Sequence, residues 1–561
     1  MADSRSDVYA EEYYKIALGQ GLYTSELSTN IPDGYSVSCY NMIATGDSLE
    51  NRPGLKKPSV DWVSWSYVAA APSPASSIDA FYEIAPWGGD SSKPAFIWSS
   101  SGYDAQTSGT AIGATLNLIR AEGTHDANNG FASVSIPTAS RGICQYDGTI
   151  YFLLATGVQK VTAINWATDS VTYSAVASGT ISSMEGLISF KDRLWAFLGN
   201  KLYYTNIPTV GGLPETWAAA TNFVPVVGPG GASKILKVVP VGNKLCIFTT
   251  NGLFTLLVEG EPASWIFRIL DSKAICTSHQ CAFESKGIIY YVTTEGVWGT
   301  NGLKCSDLSK MISDSFFLST GTRMHTITHY EDGMIVSVIK LTASGDVANV
   351  DNAFSNVFYS KLDPICWTNW DVGNVDKPDT DFSLVGIVST TNKIPTYLNP
   401  DPVIYAMGIT SNSTLAAPKL AAIQLLVFDG AHDEYRIALS TVSSFIELYL
   451  QTKHFDGGNQ YAFKMAKRGI LELFTSDSEH DITTSWSLDA TTSVATEVRP
   501  TITQDFTVGL GSNLIQIRAD FHYRRASFHL RCQLQTDQSQ IKIKDLAVAQ
   551  QLERAEYERV R

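Results

Sequence analysis

The 561-residue sequence predicts an all-β protein, a β-propeller of about six blades followed by a C-terminal β-sandwich, with short N- and C-terminal arms. Three observations carry that expectation. Hairpin-like units recur at a near-constant spacing through the middle of the chain. Beyond about residue 430 the apolar residues alternate more strictly and over longer runs. With 44% hydrophobic and 11% aromatic residues there is ample side chain for packed cores, so bulk disorder is not expected. At 17%, charged residues fall below the usual quarter of a globular domain, leaving a surface rich in Ser, Thr, Asn and Gly.

The N-terminal arm and its turn into the first blade occupy residues 1–59. "DVYAEEYYKIALG" reads as helix-prone, with Tyr9, Tyr13, Ile16 and Leu18 able to line one helical face. Arg52-Pro53-Gly54 then makes a basic turn, where Pro-Gly sets a sharp reversal and Pro limits the entropy of the unfolded chain.

The propeller follows over residues 60–430. "QYDGTIYFLLATGVQKV", "SFKDRLWAFLGNKLYYTN", "PVGNKLCIFTTNGLFTLL", "ESKGIIYYVTTEGVWGTNG" and "HYEDGMIVSVIK" share a turn followed by apolar and aromatic residues. Aligned on that turn, Gly148, Arg193, Lys244, Gly287 and Gly333 are separated by 45, 51, 43 and 46 residues. Asp-Gly or a similar pair opens each hairpin, and a second turn with glycine often follows about one strand later. Repeats of this length with several short strands are the mark of propeller blades. "KPAFIWSSSGYD" and "DPVIYAMGIT" flank the series as weaker units, for a count of six or seven. A β-sandwich with irregular meanders shares the strand pattern but not the spacing. The sandwich is placed at 431–548 and a charged, helix-prone tail at 549–561; both chain ends read as arms that order against a partner.

A net charge of −14 argues against a protein that grips nucleic acid over a broad face, since that requires Lys and Arg to displace counterions. It is compatible with a surface past which DNA slides. The eight cysteines show no CxxC and no tight His/Cys spacing, so they read as reduced and mostly buried, without disulfide or zinc. No stretch reads as a signal peptide or is long and apolar enough to span a membrane, which points to a chain made and folded in a cytoplasm.

Chemistry-bearing motifs are sparse, and neither an enzyme, a cofactor nor a metal is expected. No G-x-S-x-G elbow is present. "GPGGAS", Gly228 to Ser233, lacks the Lys-Ser/Thr of a phosphate loop and reads as a connection between blades. His325 and His329 share a strand face but stand too far apart to ligate without a third group. A propeller glycosidase would need convergent carboxylates; Glu259 and Glu261, or Asp429, Asp433 and Glu434, read more naturally as turn residues. In "HYRRASFHLR" alternation places Tyr523, Arg525, Ser527, His529 and Arg531 on one face, with Phe528 and Leu530 inward. With Arg524, this makes a candidate docking face for another subunit.

The stretch "YNMIATGDSLENRPGLKK", Tyr40 to Lys57, resembles the N-terminal region of the hub or nozzle proteins of short-tailed bacteriophage tails, also called phage stabilisation or tail tubular B proteins. The likeness continues through "GNKLYYTNIP" and is strongest from Val238 to Gly302, ending with "YRRASFHLR" and "IKIKDLAV". The resemblance implies a structural virion protein of the tail, assembled in the host cytoplasm. It further implies a homohexameric ring bound to a head-to-tail adaptor, and to a tail fibre or needle protein, through which genomic DNA is retained and ejected without specific binding. Related propellers also occur as minor tail proteins of long-tailed phages, so the alternative readings are a peripheral receptor-binding or minor tail protein and, after these, a propeller glycosidase. In a ring, Arg52, Lys56 and Lys57 would meet acidic groups of a neighbouring subunit; the alternative is a solvated turn that only solubilises the domain.

Overall fold

The structure is a computed structural model that describes residues 12–25, 30–56, 76–84, 95–102, 114–120, 131–136, 142–154, 156–165, 170–176, 182–228, 230–313, 322–341, 356–370, 382–389, 404–411, 419–428, 432–437, 440–456, 464–476, 480–488, 502–523, 525–536 and 539–552. Described secondary structure is almost entirely antiparallel β, with short 3-10 turns at Pro262–Ser264 and Lys310–Ile312.

The predicted hairpin turns fall where the residue chemistry places them. Asp147 and Gly148 have φ of 45° and 73°, and Lys286 and Gly287 have 53° and 80°. Both pairs hold the left-handed conformation of the tight turns that match strand twist. Each turn feeds the second strand of a blade: Thr149–Leu154, Arg193–Leu198, Lys244–Thr249, Ile288–Thr293 and Gly333–Leu341. The first four of these are almost wholly buried, because a blade's second strand is covered on both faces by its neighbours. This is why they read as continuous apolar runs rather than alternating ones.

Counting the flanking units, the described strands form seven blades, the upper of the two expected counts. Ser76–Ile84, Ala95–Gly102, Ala114–Arg120 and Phe131–Ile136 form the first. Ile143–Tyr146 opens the second, Gly186–Phe190 the third, Ile235–Val241 the fourth, Ala282–Ser285 the fifth and Thr322–Tyr330 the sixth. Phe382–Ser389, Ile404–Ser411 and Lys419–Phe428 form three strands of the seventh. These seven opening strands touch one another in turn, and the seventh touches the first, so the ring is closed. Closure is sealed from the N-terminal side: Leu55–Lys56 is the outer strand of blade seven and pairs with Lys419–Phe428, Phe428 opposite Leu55 and Val427 opposite Lys56.

The N-terminal segment is not an arm. Glu12–Ile16 is a β-strand, not a helix, and pairs with Ile541–Leu552. Tyr13 is exposed while Ile16 and Leu18 are buried, so the apolar residues serve a sheet face and not a helical stripe. Tyr9 lies outside the described residues. Met42–Ala44 and Leu49–Asn51 extend the same sheet, which continues through Ile541–Leu552 and Lys464–Thr475 to Gly511–Tyr523. Tyr35–Tyr40 enters the second sheet, followed by Glu447–Thr452, Ala526–Gln533, His480–Leu488 and Ile502–Val508. The sandwich is therefore assembled from both ends of the chain rather than from 431–548 alone. Its last strand runs to Leu552, and residues 553–561 of the tail lie outside the described residues. Leu471, Leu473, Ile517, Leu546 and Val548 of the first sheet meet Leu448, Leu450, Ile482, Trp486, Phe528 and Leu530 of the second. His432–Ile437 and Ser440–Phe445 form a separate hairpin between the propeller and the sandwich strands.

Candidate assembly surfaces

The Arg-Pro-Gly turn proves to be a buried joint. Leu49–Asn51 lies in the sandwich and Leu55–Lys56 in blade seven, so Arg52 sits where the chain passes from one to the other. Its side chain is wholly buried. Nε donates to Asn41 Oδ1 at 2.9 Å and Nη1 to the Pro53 carbonyl at 3.0 Å, with the guanidinium 5.9 Å from the centroid of the Trp370 ring of blade six. Asn41 in turn donates to the Glu447 carbonyl at 2.7 Å. Thr368 and Trp370 of blade six both donate to the Met42 carbonyl, at 2.6 and 3.0 Å. A planar, permanently charged group with forked donors suits such a site, where every buried acceptor needs a partner. The expectation that Arg52 meets a neighbouring subunit is thus overturned: it faces inward.

The other predicted contact residues are scattered. Lys56 lies in the ring-closing strand, and Lys57 and Arg524 are outside the described residues. Tyr523 ends a strand of one sheet and Ala526 begins a strand of the other, so "YRRA" is a corner between sheets and not one alternating face. Tyr523 points into the core, its hydroxyl 2.6 Å from Gln550 Oε1, contrary to the outward placement expected for it. Ser527 is also buried, Arg525 is half-buried at the corner, and His529 is half-buried on the following strand. Arg531 is exposed and forms a two-pronged ion pair with Glu447, one prong being Nη2 to Oε2 at 2.9 Å. Exposure limits the worth of that pair to a fraction of a kcal/mol.

One surface was missed by the sequence reasoning. Among the described residues Gly511–Tyr523 is an edge strand of the first sheet, and its stretch Gly511 to Ile517 carries no charge. Leu510 and Leu514 are 68% and 74% exposed, and Phe474 lies beside them on the neighbouring strand. An open edge without a Lys, Glu or Pro guard is a template for pairing with another chain. The signal was present in "GLGSNLIQI", but only the sheet order identifies it as an edge. On the rest of that outer face Lys15–Asp545, Lys542–Glu50 and Lys544–Glu472 pair at 2.8, 2.6 and 3.2 Å.

Among the described residues the candidate catalytic groups lie on separate elements. Glu261 precedes the 3-10 turn at Pro262–Ser264, and the backbone carbonyls of Glu259 and Glu261 each accept from Ser264 Oγ at 2.7 Å. Asp433 and Glu434 lie in the separate hairpin, and Asp429 is outside the described residues. Gly228 and Gly231 belong to a two-stranded connection between blades three and four. His325 Nδ1 is 3.1 Å from Thr277 Oγ1, and His329 packs edge-on to Phe283, so both turn toward blade five. Among the described residues no group of three or more His, Cys, Asp or Glu side chains is placed to hold a metal.

Burial, aided by Lys286 and opposed by Asp332 and Glu284, holds His329 below the ordinary imidazole range; burial and then His454 do the same for His529. In the window between those depressed values and the unfolded value of about 6.5, the folded chain binds fewer protons than the unfolded one. Their contribution is therefore complete above that value and is lost as the pH falls from it through the depressed folded values. Scanning calorimetry should show Tm falling as the pH drops below about 6.5, with a shallower slope in His329→Gln and His529→Gln than in the parent.

No family model matches the chain and no curated protein does. Among solved structures, it is similar to the N-terminal domain of Nup159, with TM-score 0.31 and 7% identity over 55% of this chain and 85% of that one. It is similar to YCF48 bound to D1 peptide at TM-score 0.35 and 11% identity, covering 67% and 97% of the two chains. It is also similar to the extracellular domain of BT4673 from B. thetaiotaomicron, at TM-score 0.38 and 10% identity, covering 89% of this chain and 65% of that one. Likenesses this distant assign no function; the all-β architecture rests on the strand pairing itself.

Proposed function

We propose that the chain is a structural virion protein, the nozzle or hub of a bacteriophage tail, built as a homohexameric ring through which genomic DNA is retained and ejected. The observation that carries this reading is where the family-like stretch falls. The described part of that stretch, Tyr40 to Lys56, spans the joint at which sandwich, blade six and blade seven meet, with Asn41, Met42 and Arg52 as its buried contacts. A resemblance that falls on the structural joint, and not on a cluster of reactive groups, supports an architectural role. The uncharged edge Gly511 to Ile517 is a suitable contact between copies, and partners would include the head-to-tail adaptor and a tail fibre or needle protein. Where the lumen carries part of the −14 net charge of each copy, it repels phosphates and denies the DNA any site for counterion release.

Two experiments test the reading. Antibody labelling of intact particles, viewed by electron microscopy, should place the chain on the tail axis; label on peripheral fibres, or none on particles, rejects it. Native mass spectrometry of the purified chain should show hexamers that Leu514→Asp converts to monomers with an unchanged Tm. A charge on a paired edge is unfavourable to association but harmless to an exposed site. A monomeric parent under all conditions, adaptor included, would refute the ring.

A further inference from the structure

We infer that the outer face of the second sandwich sheet is a binding surface for a neutral oligosaccharide. This inference does not depend on the oligomeric state proposed above.

Five strands present one straight row of directly opposed residues, Tyr40, Tyr449, Arg531, Thr483 and Asp505. A second row beside it runs Ser38, Gln451, His529, Ser485 and Thr503. With strands about 4.8 Å apart the row is about 19 Å across, enough for a short oligosaccharide laid over the strands. The residues next to these on each strand, among them Cys39, Leu450, Leu530 and Ile482, point into the core, so the outward set is fixed by the pleat.

The face combines rings with hydrogen-bonding groups. Tyr40 is 39% exposed, its ring centroid 6.2 Å from that of Tyr449. Tyr449 is held from beneath and beside: its hydroxyl lies 3.1 Å from His529 Nδ1, whose Nε2 is 3.2 Å from Ser527 Oγ. A single exposed tyrosine is ordinary. Two adjacent rings at one end of a polar row are a platform, apolar on the ring faces and hydrogen-bonding at the rim. Sugars have the matching surface, with C–H groups on the ring face and hydroxyls around its edge.

Charge narrows the ligand. Among the described residues of these five strands, Glu447, Asp481 and Asp505 stand on this face with Arg531. Phosphates and sugar acids are repelled by that balance, whereas neutral hydroxyls can donate to carboxylates and accept from Arg531. The carboxylates are already oriented: Thr483 Oγ1 donates to Asp505 at 2.7 Å, Thr507 Oγ1 to Asp481 at 3.0 Å, and Arg531 forks onto Glu447. Preset polar groups lose little entropy on binding.

The test is an array of neutral and acidic oligosaccharides probed with the full chain, followed by titration calorimetry with the neutral probe that gives the highest signal. The expected result is binding to neutral probes, weakened at least tenfold by Tyr40→Ala and by Tyr449→Ala, with Tm unchanged in Tyr40→Ala. Tyr449→Phe keeps the ring and should retain more of the binding than Tyr449→Ala. Lys15→Ala, on the outer face of the other sheet, should bind as the parent does. The proposal is overturned if no neutral probe binds at millimolar concentration, if only acidic probes bind, or if the Tyr40 and Tyr449 variants bind as the parent does. It is equally overturned if the face is covered by a protein, seen as cross-linking of Tyr40→Cys to a second chain in place of sugar binding.

Discussion

Arg52→Ala is expected to release the sandwich from the propeller, lowering the stability of the joint by about 3–5 kcal/mol. Truncation leaves buried acceptors on Asn41 and Pro53 without their donors, each costing about 1–3 kcal/mol. It also opens a void beside Trp370, where the loss of contacts adds to the cost. Urea unfolding followed by tryptophan fluorescence should change from a single transition to two, and limited proteolysis should cut near the Asn51–Leu55 connection. Arg52→Lys keeps the charge but not the planar fork, and should recover about half of the loss. A variant that unfolds like the parent and resists cleavage would show that the joint is held by the Met42 contacts alone.

Trp486→Ala is the second large effect, and it should act on the sandwich. The indole is wholly buried between Phe455, Phe521 and Phe528, and its Nε1 donates to the Arg518 carbonyl at 3.2 Å. Gly469 makes room for it: a methyl group there would come within 2.8 Å of the ring. Removing so large a side chain typically costs about 3–5 kcal/mol. Near-UV circular dichroism and hydrogen exchange should show early opening of Lys464–Thr475, Gly511–Tyr523 and Ile541–Leu552 while the second strands of the blades stay protected. Trp486→Phe keeps most of the packing and loses the hydrogen bond, for a loss of about 1 kcal/mol beyond the smaller ring. Equal loss of protection in blades and sandwich would mean that the two unfold as one unit.

Much of the propeller was legible because its signals are local. Asp147-Gly148 and Lys286-Gly287 adopt left-handed turns for reasons contained in a few residues, and the second strands are apolar because they are covered on both sides. The seventh blade was harder to count, since its outer strand is only Leu55–Lys56, a pair with no pattern of its own, joined to Val427 and Phe428 from the far side of the chain. Glu12–Ile16 misled for a related reason. "EEYYKI" suits a helix when alone, but Ile541–Leu552 offers it an edge to pair with, and burial of Ile16 and Leu18 decides the outcome.

The candidate site divides in the same way. Exposure of Arg531 agreed with simple alternation within one strand, and the outward rows of Tyr40 and Tyr449 follow from the same rule once their sheet is known. The burial of Arg52 and the inward turn of Tyr523 did not follow. Arg52 depends on Asn41 and Trp370, and Tyr523 on a change of sheet at the corner that follows it.

By itself, then, the sequence determined an all-β chain, the hairpin turns and the period of the repeat, because turn chemistry and side-chain alternation are properties of neighbouring residues. Only the tertiary structure decided that the ring has seven blades, that both chain ends build the sandwich, and that a basic turn is a buried joint. Backbone donors and acceptors are alike in every strand, so which distant strands pair is settled by the packing of the whole chain and leaves little trace in any one segment.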